Sequence, residues 1–482
     1  YDSETIDLTA SDYGVYKYSS INITEDITYH DESWLCRIRL EDIYGRWTNW
    51  SNATRLISRY PTNLTTENNP STPVQNQNVY FYANYTSLFP VSGIGLRNYE
   101  IGRVIWNTND LGEVYSVTFF DCERKHIKDC VAVGGYGDLY VFYPNGTLRF
   151  HFTEPGGPVN EIEPGDFNND GYYDEIAAID NDARLWVYNG SGDLEWSSPD
   201  YGGGYGSALD VGDLNGDGIE DIAFIEQNLD HVEAYYHNGT RMWNVTIGNF
   251  DGMGHNVLIA DIDKDGNNEV LTAIHGDSTY NSTLYVFYGI NGTQLFNYTK
   301  PGNNHFIDVA VANIDNDEED EIIVSTCFSS VLFIDNNGTF LNETTRYDAN
   351  SEAEDILIMD VNDDGYDDVI ITITEPQDIG IRAFTYNSSN NGYDILWTVP
   401  GPTRSLNSFS KGDVNDDGRE DVVGGGEDET VWALNKNGTI IFKYYIGLGQ
   451  IGRGEGWGSS PATDISDINN DGIPDIAVAS ED

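Results

Sequence analysis

Seven stretches of this chain set side-chain oxygens at the same intervals, at positions 1, 3, 5 and 9 of a short acidic run. They are Asp166, Asn168, Asp170 and Asp174; Asp213, Asn215, Asp217 and Asp221; Asp261, Asp263, Asp265 and Glu269; Asn313, Asp315, Asp317 and Glu321; Asp360, Asn362, Asp364 and Asp368; Asp413, Asn415, Asp417 and Asp421; Asp467, Asn469, Asp471 and Asp475. Glycine stands at position 6 in every copy but the fourth, where Glu318 replaces it. A loop coiled tightly at that glycine turns alternate side chains toward one point. Carboxylates so gathered repel one another unless a hard cation sits among them. Calcium suits this donor set, because it accepts six to eight oxygens in a flexible shell while magnesium demands a tighter, wetter octahedron. The position 7 carbonyls, from Tyr172, Ile219, Asn267, Glu319, Tyr366, Arg419 and Ile473, complete the expected ligand sets, so up to seven calcium ions are expected. An EF-hand is excluded, since position 12 of the first loop is Ala177 and the flanking residues favour strands.

The copies differ in charge. The loop of Asp261, Asp263, Asp265 and Glu269 carries four acids and should bind most tightly, whereas the Asn313 loop is the weakest match. The run Asp174-Glu175 offers two candidates for the ninth position of the first loop. A degraded eighth copy runs from Asp121 to Cys130, with Lys125 where the central acid should be. Position 2 is apolar in all seven intact loops and position 10 in six; Cys122 and Cys130 occupy that pair of places. A disulfide is therefore expected to replace the lost metal, with the basic residues neutralising the remaining acids. The rival reading of these basic residues is a ligand site. Cys36 and Cys327 have no partner assigned by sequence.

The elements that carry these loops repeat with them. Successive loops begin 47, 48, 52, 47, 53 and 54 residues apart, and each is followed by a β-rich run such as Ile222-Ala223-Phe224-Ile225. One repeat reads as four strands, roughly Ser207 to Val211, Asp221 to Glu226, Val232 to His237 and Arg241 to Ile247, with Asn238-Gly239 at the last hairpin and the acidic loop joining the first two strands. The pattern Asp-x-Asn/Asp-x-Asp-Gly-x-x-Asp before a strand resembles the calcium loops of FG-GAP/VCBS repeats, the family that includes integrin α-subunit propellers. The resemblance covers about residues 114 to 482. It implies an all-β propeller and calcium, and it is compatible with adhesion, lectin, surface-layer and polysaccharide-lyase roles. The FG-GAP tetrapeptide itself is not reproduced, so no integrin-like ligand face is carried over.

Eight motifs predict eight blades, with seven as the alternative. The last repeat ends two strands short, and residues 79–84 and 103–107 resemble the missing strands, so a propeller over 79–482 closed by N-terminal strands is expected. Residues 1–60 are similar to the late strands of an Ig or fibronectin type III sandwich. They amount to about half of such a domain, and a neighbouring subunit could supply the rest by strand addition. Residues 61–78 read as a linker.

Composition narrows the function. Eighty acidic against 24 basic residues give a formal charge of −56, which repels nucleic acid. No apolar run approaches the roughly 18 residues of a membrane span. The start at Tyr1, without Met or an apolar leader, reads as a mature chain or fragment. Asn-x-Ser/Thr sequons stand at Asn22, Asn49, Asn52, Asn63, Asn84, Asn145, Asn189, Asn238, Asn244, Asn281, Asn291, Asn297, Asn337, Asn342, Asn387 and Asn437. Six of them are Asn-Gly hairpin corners, and the other ten have no turn to explain them. Glycosylation and the disulfide together point to an extracellular or cell-surface location. The eight histidines are scattered without repeated partners, and no nucleophile triad, phosphate loop or zinc spacing occurs. A structural or adhesive protein that self-associates into a filament or layer, or meets other surface proteins or glycans, is the leading expectation. A carbohydrate-binding propeller using Tyr and Trp, or a polysaccharide lyase, is the alternative.

Overall fold

A computed structural model describes residues 113–480 apart from short loop segments, together with Trp106, Leu111 and the backbone of eight short strands between Ser3 and Asn84. The chain divides into two compact units, Tyr1–Arg103 and Val104–Asp482. In the first, Ser3–Ile6, Ile21–Thr24, Ser33–Ile38 and Ser51–Leu56 form one antiparallel sheet, and Tyr16–Lys17 pairs with Glu41–Asp42. Tyr82–Asn84, expected in the last blade, pairs with Asn63–Thr65. The side chains of Cys36 and of the first five sequon asparagines lie outside the described residues.

The second unit is a propeller. Seven four-stranded antiparallel sheets follow one another as simple meanders over 114–152, 159–197, 206–246, 254–300, 306–343, 356–400 and 406–445. Seven is thus the number of complete blades among the described residues. The eighth repeat contributes a two-stranded sheet, Thr463–Ser466 with Asp475–Val478. The first strand of every unit lies beside the first strand of the next, and Thr463–Ser466 touches Val114–Phe120, which closes the ring. The repeat read from sequence as four strands is found as Gly206–Gly212, Asp221–Glu226, His231–Tyr235 and Arg241–Thr246.

Second strands such as Asp221–Glu226, Glu269–Ile274 and Glu321–Thr326 are buried at every residue. They hold continuous apolar runs because both of their faces meet a neighbouring blade. Burying each Ile, Val or Phe there stabilises the fold by about 1.5–3 kcal/mol. Asp475–Val478 is only half-buried, and no third strand pairs with it among the described residues.

Two further devices tie blade to blade. Near the axis, an acid on one first strand accepts a backbone N–H from the next: Glu161 Oε2 from Leu209 at 2.6 Å, Asp210 Oδ2 from Ile259 at 2.6 Å, Asp308 Oδ2 from Ile356 at 2.9 Å, Asp355 Oδ2 from Phe409 at 2.5 Å and Asp464 Oδ2 from Phe119 at 2.7 Å. At the periphery, an aromatic ring of one blade lies on the glycine of the next outer hairpin, too close for a Cβ: Trp196 over Gly239, Trp243 over Gly292, Phe296 over Gly338 and Trp397 over Gly438. Each tryptophan also donates its indole N–H to a carbonyl of that hairpin, as Trp196 does to His237 O at 2.8 Å. Trp106 makes the same contact with Gly146 and Pro144 O.

Candidate metal centre

The acidic loops coil through hydrogen bonds to their own first residue. The Asp166 carboxylate accepts the N–H groups of Asp170 and Gly171 at 3.0 and 2.8 Å. Asp213, Asp261, Asp360 and Asp413 repeat the pair at positions 5 and 6, and Asp467 accepts from Gly472 at 2.7 Å. The acid at position 5 then accepts the N–H of position 7, as Asp217 does from Ile219 at 2.9 Å. Tyr172, Asn267, Tyr366 and Arg419 donate in the same way.

Two left-handed residues make the coil. Glycines at position 6 have φ between 84° and 90°, a region that costs an L-residue about 1–2 kcal/mol. Position 4 is left-handed as well, with φ of 57° at Asn169, 62° at Asp363, 56° at Asp416 and 55° at Asn470. The sequence reading passed over position 4, yet its bias toward Asn and Asp, which bear αL best after glycine, is the signal.

In five loops the ninth-position acid, Asp221, Glu269, Glu321, Asp368 or Asp421, is the buried floor. Glu269 Oε2, Glu321 Oε2 and Asp368 Oδ2 accept the N–H of the position 2 residues Ile262, Ile314 and Val361 at 3.3, 3.0 and 2.9 Å. In the first loop this place belongs to Glu175: it accepts from Phe167 N at 3.2 Å, and it pairs in register with Gly165 as Asp221 does with Gly212. Asp174 turns away and meets Arg124 Nε at 2.9 Å. Asp368 Oδ1 and Asp421 Oδ2 are buried without a hydrogen-bond partner. Amides at position 3 lean on the floor, Asn215 Nδ2 on Asp221 at 2.7 Å, Asn415 on Asp421 at 3.1 Å and Asn469 on Asp475 at 3.0 Å.

Such a cluster of anions is electrostatically unbalanced. Burial, reinforced by Asp263, Asp265 and Asp261, pushes Glu269 up to about 7. Burial and the adjacent Asp174 push Glu175 up to about 8, and burial with Asp417 and Asp413 pushes Asp421 up to about 7. Oxygens of Asp261, Asp263 and Asp265 lie within 4.8 Å of one another. All are hard donors spaced as a divalent oxygen-loving cation requires, so these residues fit calcium, with Glu269 beneath them. Asn313, Asp315, Glu319, Glu321 and Asp467 occupy the corresponding places in their loops; Asp317 and Asp471 lie outside the described residues.

The degraded loop has the same coil. Asp121 accepts from Lys125 N at 2.7 Å and His126 N at 2.6 Å, and Arg124 and His126 take the left-handed places with φ of 58° and 57°. Cys122 and Cys130 are disulfide-bonded, as expected. Cys130 pairs in register with Phe120, so it stands where other loops carry the ninth acid, and the covalent bond replaces the position 2 hydrogen bond. Lys125 Nζ lies 3.1 Å from the buried Asp129 and also pairs with Glu123. Arg124 meets Asp170 and Asp174 at 3.0 and 2.9 Å. These cations are engaged inside the protein, which argues against an anion-binding site. Cys327 is buried and directs its Sγ to Asn304 O at 3.2 Å.

Of the sequons on the propeller, Asn145, Asn238, Asn291, Asn337 and Asn437 are exposed at hairpin tips, and Asn281 and Asn297 are exposed elsewhere. Asn189 is half-buried at its turn, while Asn244, Asn342 and Asn387 are half-buried and Asn244 bonds inward to Glu233 at 2.5 Å.

A family model described as FG-GAP-like repeat matches residues 166–224, 213–272 and 413–478. The chain therefore carries FG-GAP-like repeats in three places. Among solved structures it is similar to Sqt1 of Saccharomyces cerevisiae, with 14% identity over 77% of this chain and 94% of that one and a TM-score of 0.59. Chaetomium thermophilum Sqt1 bound to the N-terminus of ribosomal protein L10 matches with 13% identity over 76% and 97% and a TM-score of 0.53. The computationally designed Ika8 protein matches with 12% identity over 76% and 96% and a TM-score of 0.51. At such identities the likeness is one of fold. No curated protein sequence matches.

Proposed function

We propose that this propeller is an extracellular, glycosylated, calcium-stabilised structural or adhesive protein, a subunit of a surface filament or layer. The observation that carries the calcium reading is the loop at Asp261, where three carboxylates converge over a buried glutamate. Lys264 of this loop pairs with Asp320 of the next loop at 2.8 Å. Calcium binding the assembled loops would stabilise the folded state by mass action.

The export and surface reading is supported by the disulfide, the exposed sequons and the acid excess. No helix of the described residues is long and apolar enough to cross a membrane. Four tryptophans, Trp106, Trp196, Trp243 and Trp397, lay a ring face on the glycine of an outer hairpin, which favours a packing role over stacking on sugars. The reading assigns no catalytic residue, and its partners are other copies, surface proteins or glycans. Electron microscopy of native material with and without a chelator tests it. Filaments or sheets that disperse on chelation support the proposal; uniform single propellers in both conditions overturn the assembly role.

A further inference from the structure

The loops are wired to one another around the rim. In three loops the residue just before the ninth-position acid reaches the preceding blade and touches the first residue of its loop. Glu220 Oε2 accepts the N–H of Asp166 at 2.8 Å, and Asn268 Nδ2 donates to Asp213 O at 2.8 Å. Asp367 Oδ2 accepts the N–H of Asn313 at 3.1 Å while its own N–H donates to Asn313 O at 2.9 Å. In all three cases the target is the first ligand residue of the neighbouring loop. Asp320, at the same place in the Asn313 loop, instead holds Lys264 of the preceding loop at 2.8 Å. The series then stops: Glu420 pairs with Lys411 of its own blade at 3.4 Å, and Pro474 has no side-chain donor or acceptor.

Each connecting residue shares a peptide unit with a buried acid, Glu220 with Asp221, Asn268 with Glu269 and Asp367 with Asp368. A cation that fixes the acid fixes its neighbour. The neighbour then holds the backbone from which the first ligand of the adjacent loop projects. A loop already ordered in this way loses less conformational entropy when its own ion arrives. We propose that calcium binds cooperatively along the rim, each filled loop raising the affinity of the loop in the preceding blade, through Glu220, Asn268 and Asp367. Between the loops at Asp360 and Asp413 the connection is of another kind, Arg419 lying 4.0 Å from Asp363 and Lys436 pairing with the same carboxylate, so the coupling argued here runs over the loops from Asp166 to Asp360. The inference rests on the calcium reading above.

The test is a calorimetric calcium titration of the whole chain, which counts ions and reads the steepness of binding separately. The wild type should titrate more steeply than independent sites. Glu220→Ala, Asn268→Ala and Asp367→Ala should each keep the ion count, broaden the curve and weaken the neighbouring site about fivefold or more. Asp367→Asn, which keeps an acceptor oxygen, should restore steepness, and Glu420→Ala should leave it unchanged. Independent sites in the wild type overturn the coupling while leaving calcium binding intact. Equal broadening by Glu420→Ala overturns it as well, and so does loss of a whole ion from the alanine variants, which would make these residues ligands. No calcium uptake by the wild type overturns both readings.

Discussion

The loops at Asp121 and Asp261 trace the same coil with opposite chemistry. Both begin with an aspartate that accepts the N–H groups of positions 5 and 6, and both have left-handed residues at positions 4 and 6. At Asp261 positions 1, 3, 5 and 9 are all carboxylates. At Asp121 an ammonium and a disulfide enter the set. The first aspartate and the two turns therefore suffice for the path of the chain, and what varies is how the buried negative charge at its floor is balanced. In one blade a disulfide cysteine takes the place of the floor acid and Lys125 pairs with the neighbouring Asp129; in the others an ion from solution is expected to balance it.

The largest effect that would sharpen this contrast is chelation. Removing calcium should lower the melting temperature by roughly 10 °C or more, since each site held at 100 times its Kd contributes about 2.7 kcal/mol. Hydrogen exchange should then accelerate at Glu269–Ile274 and stay slow at Cys130–Gly135. Equal acceleration in both strands would break the comparison.

Replacing both Cys122 and Cys130 with serine should cost about 2–3 kcal/mol, the usual range for a short disulfide loop, and the loss should persist at saturating calcium. Denaturant unfolding with and without the ion measures it. A smaller change is expected from Lys125→Asp, which restores the acidic ladder of Asp121, Glu123 and Asp129. This variant should be less stable than wild type in chelator and should gain a calcium-dependent rise in melting temperature. A variant insensitive to calcium would show that the disulfide has closed the loop to any ion.

The smallest effect separates the loops from the axis. Burial, aided by Asp210 and Asp464, pushes Glu163 up to about 8 from an ordinary 4.5. Between these values the folded protein holds a proton that the unfolded chain releases, so this contribution is full below about pH 4.5 and disappears as pH rises through about 8. Glu163→Gln should flatten that fall and raise the melting temperature at pH 8, with little change at pH 5. An unaltered pH profile would remove Glu163 from this account.

Legibility followed the range of the interactions. The acidic loops and the strand after each loop could be read because their signals lie within nine residues of one another. The choice between Asp174 and Glu175 could not, since it depends on the pairing of Gly165 and on Arg124 from another blade. The acids near the axis were missed for the same reason. Glu161, Asp210 and Asp308 look like ordinary strand acids until the next first strand brings a backbone N–H to them. The tryptophans were open to two readings, and the glycine of the following hairpin assigns them to packing.

By itself the sequence determined the repeat, the propeller, the acidic loops and the disulfide, because spacing along the chain fixes which side chains a tight turn can gather. Only the tertiary structure decided that seven blades are complete, that Glu175 forms the floor of its loop, and that neighbouring loops touch through Glu220, Asn268 and Asp367. Those outcomes depend on groups some 50 residues apart that meet only when one blade is set against the next, and local propensity carries no record of that meeting.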